Sequence, residues 1–187
     1  MNVIIFGPPG AGKGTQAQNI VKKFNLHQIS TGDLLRTEIK NKSEIGKEIE
    51  EIISKGDFAT DDVVNKLIKN IVFDPQKKDK LIFDGYPRSL SQAKNLDSLL
   101  DSSNQKIDFI FFLNVDKNTI IKRIEKRKIL EKRSDDDLST ILKRYDTYME
   151  TTRPVLDFYS SRSYFYEIDG SEKIEVISSK IEQIITV

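Results

Sequence analysis

The sequence predicts a doubly wound α/β fold, in which helices cover both faces of a five-stranded parallel β-sheet. Three observations lead to this prediction. Five short apolar runs alternate with longer segments of helical periodicity. The runs are apolar on both faces, as buried parallel strands are. The chain has 187 residues, of which 37% are hydrophobic, and this size suits one globular domain with a substantial core.

The five strands are predicted at runs spread along the whole chain. They are NVIIF (2–6), HQIS (27–30), KLIFD (80–84), IDFIFFLNV (107–115) and YFYEID (164–169). Helices are predicted at 12–24, at 89–100, at 118–127 and near the C-terminus from Ile174 to Ile185. One more apolar stripe predicts a helix at the positions Leu138, Ile141, Leu142, Tyr145, Tyr148 and Met149.

Two segments interrupt the alternation of strands and helices. Residues 31–73 contain three helical stretches without a strand between them, and residues 128–137 form a charged segment between two helices. Both are predicted to be insertions on a βαβ core. The sequence contains no Pro/Gly-rich linker, so we expect a single domain over residues 1–187.

Composition argues against several classes of protein. A net charge of +1 gives no reason to expect nucleic acid as the main partner. Without cysteine there are no disulfides, no thiol catalysis and no cysteine-ligated zinc. His27 is the one histidine, and we expect it to be a packed or surface residue. The apolar runs are too short for a signal peptide or a membrane span, so we expect a cytoplasmic protein.

A glycine-rich loop follows the first predicted strand, in NVIIFGPPGAGKGTQ. Gly7, Gly12 and Lys13 match the P-loop pattern G-x-x-x-x-G-K. Glycines allow the backbone to turn its N–H groups towards phosphate oxygens, and the helix N-terminus adds partial positive charge. Lys13 would supply a charge for the β- and γ-phosphates. The general pattern has Ser or Thr after the lysine, whereas this chain has Gly14 and then Thr15. The alternative is a plain βα turn.

Further motifs accompany the loop and reveal a family resemblance. GPPGAGKGTQ (7–16), STGDLLR (30–36) and FDGYPRSLSQ (83–92), in this order and spacing, resemble adenylate kinases, as does RSDDDLSTILKRY (133–145). The resemblance runs over nearly the whole chain, and Gly14-Thr15 is normal in that family. It implies a five-stranded P-loop core with an AMP-binding insertion, here 30–59, and a lid over ATP, here 127–137.

The resemblance also implies an activity and its ligands. The reaction would be reversible phosphoryl transfer, ATP + AMP to two ADP, which serves adenine nucleotide homeostasis. ATP, AMP and ADP would be the small-molecule ligands of a monomer. Mg²⁺ would accompany ATP without direct protein ligands, aided by Thr15 and Asp84, and no structural zinc is expected.

The family's site residues carry over to matching positions of this chain. ATP binding is expected from Gly10, Ala11, Gly12, Lys13, Gly14, Thr15, Arg123 and Arg127. AMP binding is expected from Thr31, Arg36, Asp57, Phe58, Ala59, Gly85, Tyr86, Pro87, Arg88, Gln92, Arg133 and Arg144. The catalytic cations would be Lys13, Arg88, Arg123, Arg133 and Arg144.

Simpler structural roles remain open for several of these residues. Arg36 would bind the AMP phosphate through a bidentate fork, but Ser30 or Thr31 as a helix cap beside a surface arginine fits equally. Asp84 suits the water shell of Mg²⁺ or a capping role. Gln92 offers a donor and an acceptor to adenine, although a helical glutamine is more often exposed.

The charged segment is interpreted as a short lid. Arg123 and Arg127 are spaced i, i+4 and share a helix face. Arg133 and Arg144 would return to one face if a single helix carried both. Only five residues separate Arg127 from Arg133, and without cysteine the lid cannot hold a zinc site. We therefore expect a loop that folds over ATP and excludes water.

Two acidic residues in the same segment match the family's lid carboxylates. Asp135 and Asp136 could steer the lid arginines or cap the following helix.

Two other functions fit parts of the sequence. Another nucleoside monophosphate kinase, such as a UMP/CMP kinase, or an adenylate kinase that uses GTP would share most motifs. A nucleotide-binding switch would need neither DGYPR nor the paired arginines. A switch usually carries the guanine-reading motif N-K-x-D, and the nearest string here is NKSE (41–44).

Overall fold

The computed structural model describes residues 1–54, 57, 59–131 and 138–187, with the backbone alone for 129–131 and 138. Four residues named above therefore lie outside the described residues: Phe58, Arg133, Asp135 and Asp136. The predictions made for these four residues stay predictions.

Five parallel strands form one sheet and confirm the predicted fold class. The strands are β1 (Val3–Phe6), β2 (His27–Ser30), β3 (Leu81–Asp84), β4 (Phe109–Asn114) and β5 (Phe165–Asp169). Their order across the sheet is β2-β3-β1-β4-β5, and each paired neighbour is parallel. β3 and β4 flank β1 on opposite sides, and the chain crosses β1 when it passes from β3 to β4. A crevice therefore opens at the carboxyl ends of these strands, where α/β proteins bind ligands.

Helices fill the intervals between the strands. They are α1 (Lys13–Phe24), α2 (Thr31–Lys40), α3 (Glu44–Ser54), α4 (Asp61–Val72), α5 (Leu90–Ser102), α6 (Lys117–Glu131), α7 (Leu138–Thr147), α8 (Arg153–Ser160) and α9 (Ile174–Thr186). A short 3₁₀ turn, Pro75–Lys77, precedes β3. As predicted, three helices follow β2 before the next strand begins. None of the described helices is both long and apolar enough to cross a membrane.

Two hydrophobic clusters, one on each face of the sheet, hold the helices in place. Along β1 the side chains alternate: Ile4 and Phe6 join one cluster, while Val3 and Ile5 join the other. The first cluster packs α2–α5 and α8, and the second packs α1, α6, α7 and α9. This division confirms that the fold is doubly wound.

The edge strands differ from the prediction that every strand is apolar on both faces. β1 and β3 are buried almost throughout, whereas β2 and β5 expose several positions, including His27. Edge strands have a neighbour on one side only, so polar side chains can reach water there.

The predicted helix through Met149 also needs correction. The α-helical part α7 ends at Thr147, and Tyr148–Thr152 continue as a π-helix before α8. A π-helix bonds i to i+5, so its side chains leave the 3.6-residue stripe. Tyr148 is accordingly buried, while Met149 is 41% exposed.

Candidate active site

A cleft of about 550 Å³ lies where the sequence predicted the ligands, at the carboxyl ends of β1 and β3. The P-loop forms one wall, and helices α2, α6 and α7 contribute the others. Seven cationic side chains line this cleft: Lys13, Arg36, Arg88, Arg123, Lys126, Arg127 and Arg144. Asp84, at the end of β3, adds a carboxylate. The concentration of positive charge suits a ligand with several phosphate groups.

The P-loop owes its path to two glycines with positive φ. Gly10 has φ 81° and Gly12 has φ 95°, a region that side chains rarely adopt. A Cβ atom at Gly10 would lie 2.7 Å from Cγ1 of Ile124, so α6 packs directly on the loop. Helix α1 begins immediately after Gly12, which places its N-terminus at the cleft.

Lys13 lies half-buried at the centre of this cleft. Its ammonium donates to the carbonyl oxygens of Gly7, at 2.8 Å, and Pro8, at 3.0 Å. Burial lowers the pKa of Lys13 to about 8. This value includes the effects of neighbouring charges: Asp84 raises the pKa of Lys13, whereas Arg88 and Arg144 lower it. The ammonium therefore loses its proton at a lower pH than that of an ordinary lysine, unless an anion binds next to it.

ATP binding should consequently weaken as pH rises through about 8. Below that pH Lys13 is mostly protonated and would attract the phosphates of ATP. Above it, the ligand-free site increasingly holds a neutral amine. We expect the dissociation constant of ATP to rise over the range pH 7 to pH 9.5, which calorimetric titration can measure. The same titration with Lys13→Met should show a flat profile there. A pH-independent affinity in the unaltered protein would contradict this assignment.

Arg88 occupies the opposite wall, on the turn after β3. Its Nε donates to the carbonyl oxygen of Gly85 at 2.6 Å, and the hydroxyl of Thr31 donates to the same oxygen at 2.8 Å. Burial lowers the pKa of Arg88 to about 10, helped by the charge of Arg144. At neutral pH the guanidinium remains charged, so the turn presents a fixed cation to the cleft.

The turn itself is held by α4 and by the π-helix at Tyr148–Thr152. The Tyr86–Pro87 peptide bond is cis. The buried Tyr86 hydroxyl donates to Oδ1 of Asn65 at 2.8 Å, and burial raises the pKa of Tyr86 to about 12. The hydroxyl of Thr152, from the π-helix, donates to the carbonyl oxygen of Arg88 at 3.0 Å. Helices on two sides therefore fix the position of the Arg88 backbone.

Gln92 is placed differently from the exposed glutamine that single-residue statistics favour. It is 3% exposed, and both ends of its amide bind protein groups. Its Oε1 accepts from the backbone N–H of Arg88 at 2.7 Å, and its Nε2 donates to Oδ1 of Asp61 at 2.7 Å.

Arg36, the residue of α2 that is predicted to bind the AMP phosphate, has a protein partner in this structure. Arg36 forms an ion pair with Asp33 one turn earlier on the same helix. Ser30 does cap α2, since its hydroxyl accepts from the N–H of Asp33. Ser30 therefore caps α2, and Arg36 also lines the cleft.

The arginines of α6 lie as their i, i+4 spacing predicts, on the face towards the P-loop. Arg123 donates to the carbonyl oxygens of Ala11, at 3.2 Å, and Ser171, at 3.3 Å. Arg127 lines the cleft and lies within α6, which continues to Glu131. The described part of the predicted lid, residues 127–131, is thus helical.

Two predicted contacts of the AMP base lie apart from the cleft lining. Asp57 forms an ion pair of 2.8 Å with Lys143 of α7, and Ala59 is buried. Among the described residues, no group of three or more His, Cys, Asp or Glu side chains could hold a metal ion.

Comparison with known proteins agrees with this geometry. A family model described as adenylate kinase matches residues 5–164. The chain belongs to the adenylate kinase family. It is therefore an enzyme that transfers a phosphoryl group between ATP and AMP, and ATP, AMP and ADP are its nucleotide ligands. This conclusion sets aside a nucleotide-binding switch.

Individual adenylate kinases match over their whole length. The enzyme of Pelagibacter ubique (strain HTCC1062) is 47% identical over 213 aligned positions, which cover all of both chains. That of Thermosipho africanus (strain TCF52B) is 33% identical over 212 positions, with 99% of each chain covered. That of Caulobacter sp. (strain K31) is 37% identical over 187 positions, covering 100% of this chain and 99% of the relative.

Sequence reasoning missed several residues that shape this adenylate kinase cleft. Asp61 and Thr152 hold Gln92 and the Arg88 backbone, and Gln28 donates to Asp84 at 3.1 Å. Asp61 is the first residue of α4. In the sequence it is marked only by a negative charge in a first helical turn, which is favourable in any helix. Thr152 could not have been found, because its position depends on the π-helix.

Proposed function

We propose that the cleft binds ATP along the P-loop and AMP along α2 and the Arg88 turn, with the two phosphate chains meeting between Lys13 and Arg88. The convergence of cations on one cleft from α1, α2, the turn after β3, α6 and α7 supports this proposal. Phosphoryl transfer needs such an arrangement, because charge spreads over the equatorial oxygens of the transferring group.

The ATP side is assigned to the P-loop and α6. Residues 10–15 would surround the β- and γ-phosphates with backbone N–H groups, the N-terminus of α1 and the ammonium of Lys13. Arg123 and Arg127 would bind the same phosphates from the other side. Lys13 would exchange its bonds to Gly7 and Pro8 for phosphate oxygens.

The AMP side is assigned to α2 and the turn after β3. Arg36 would leave Asp33 and bind the AMP phosphate through its fork, with Arg88 and Arg144 as further cations. Thr31, Gln92 and residues 57–59 and 85–87 would surround the nucleoside. An oxygen of the AMP phosphate then attacks the γ-phosphorus of ATP, and the bond from that phosphorus to the β-phosphate oxygen breaks. Two ADP molecules result.

Magnesium fits the oxygen ligands at one end of the P-loop. The carboxylate of Asp84 and the hydroxyl of Thr15 are hard donors that could hold its water shell. The ion would neutralise charge on the donor phosphates.

The domain organisation follows the same reasoning. We propose one P-loop domain over residues 1–187, an AMP-binding insertion at 30–59 and a short lid at 127–137. The alignment with the Pelagibacter relative spans 213 positions against 187 residues here, which agrees with a shortened segment in this chain. We also propose a cytoplasmic monomer without a nucleic-acid partner.

Incubation with ADP alone tests the proposed function. The pure protein with ADP and Mg²⁺ should form ATP and AMP in equal amounts, because the reaction is reversible. Separation of the nucleotides by chromatography measures this directly. AMP and free phosphate without ATP would overturn the proposal.

The same assay tests the role of magnesium. EDTA should abolish turnover while leaving the melting temperature of the ligand-free protein unchanged. A marked fall in melting temperature would instead reveal a structural metal.

A further inference from the structure

Asp61 controls how the side-chain amide of Gln92 is oriented. The Asp61 carboxylate accepts from Nε2 of Gln92 at 2.7 Å, and its other oxygen accepts from the hydroxyl of Ser89 at 2.9 Å. A carboxylate can only accept, so it selects the NH₂ end of the amide. On the opposite side, the backbone N–H of Arg88 can only donate, and it selects the carbonyl end at 2.7 Å.

This pair of contacts makes one amide orientation strongly preferred. Rotation of the Gln92 amide by a half-turn would place its oxygen against an anionic oxygen and its NH₂ against an N–H. Both contacts would become repulsive in a residue that is 3% exposed. The contact with Asp61 is the charge-assisted one and contributes the larger share.

The fixed amide keeps one N–H and one acceptor lone pair for another partner, in a fixed order. The Watson–Crick edge of adenine presents a donor at N6 and an acceptor at N1. A 6-oxopurine of the same shape, hypoxanthine, presents an acceptor at O6 and a donor at N1. The two bases therefore need opposite orientations of a glutamine amide.

We propose that Asp61 is a positioning residue for acceptor specificity: by holding the Gln92 amide in one orientation, it favours AMP over inosine monophosphate (IMP). This inference rests on the proposed function, in which Gln92 faces the base of the acceptor nucleotide. Asp61 itself would not touch the nucleotide. It acts from the first turn of α4, where it also links that helix to Ser89 at the start of α5.

The test compares AMP and IMP as acceptors with ATP as the donor. In Asp61→Asn the new side chain has the same shape but can donate as well as accept, so the half-turn of Gln92 loses its main penalty. We expect the ratio of kcat/KM for AMP to that for IMP to fall about tenfold, as for exchange of one buried hydrogen-bond match. Asp61→Glu, which keeps a carboxylate, should retain more of the ratio.

A neighbouring residue provides the matched control. Asp62 lies in the same first helical turn and is exposed, so Asp62→Asn removes an equal charge from the same helix terminus. This variant should leave the ratio unchanged. Melting temperatures of all variants show whether each one folds, and a structural role alone would lower both acceptors' rates without changing their ratio.

Three outcomes distinguish the role of Asp61 from the role of Gln92 and from the kinase function itself. If Gln92→Ala changes the ratio but Asp61→Asn does not, Gln92 reads the base and the role of Asp61 is wrong. If Gln92→Ala leaves the ratio unchanged, the assignment of Gln92 is wrong, and the inference fails with it. If none of the proteins makes ATP from ADP, the proposed function itself fails.

Discussion

Replacing Lys13 by alanine is expected to lower kcat/KM by about two to four decades. The ammonium lies at the centre of the cleft, where it would stabilise charge on the transferring phosphoryl group. Burial strengthens this interaction, because protein groups around the ammonium screen charge less than bulk water does. Steady-state rates with ATP and AMP measure the effect.

The fold should survive this substitution. Lys13→Ala removes two hydrogen bonds to P-loop carbonyls, but it also removes a half-buried cation that Arg88 and Arg144 repel. Lys22→Ala provides a control on the same helix, since Lys22 is exposed. The melting temperature of Lys13→Ala should lie close to that of the unaltered protein. Activity within a few-fold of the unaltered enzyme would show that the P-loop assignment is wrong.

Arg88→Ala should have the second largest effect, a loss of about two to three decades in kcat/KM for AMP. Arg88 is half-buried and lines the cleft from the turn after β3, so its guanidinium could bind two phosphate oxygens at once. Lysine offers a single ammonium and no fork, so Arg88→Lys should recover little of this loss. Rates measured at varied AMP and saturating ATP give the value.

The Arg88 turn should keep its shape without the guanidinium. The carbonyl oxygen of Gly85, which Arg88 binds, also accepts from Thr31. The exposed Arg162 supplies a control that changes the same type of residue away from the cleft. An Arg88→Ala enzyme with an unchanged KM for AMP and an unchanged kcat would place the acceptor elsewhere.

The sequence predicted most of the core, because there the secondary structure that each segment favours is also the one that the whole fold requires. Apolar runs such as the one at β4 can only be buried in a sheet covered on both sides, and the P-loop pattern marks both a turn and a helix start. The cleft was predictable in outline for the same reason. Its cations follow strand ends or share a helix face.

The rest depends on contacts that no local pattern encodes. The orientation of Gln92 is set by Asp61, which is distant in sequence and belongs to another helix. The cationic neighbours that lower the pKa of Lys13 come from elements far along the chain. The end of α7 at Thr147 was missed because apolar spacing alone does not distinguish an α-helix from a π-helix.

The π-helix at Tyr148–Thr152 makes chain length itself a constraint at this place. A turn of π-helix holds more residues than a turn of α-helix, because its hydrogen bonds run from i to i+5. Inserting or deleting a residue here would therefore change which residue lies opposite Arg88, whose carbonyl oxygen now accepts from the hydroxyl of Thr152. Natural variation should exchange side chains in this segment far more readily than it inserts or deletes residues, and an alignment gap here would signal a remodelled Arg88 turn.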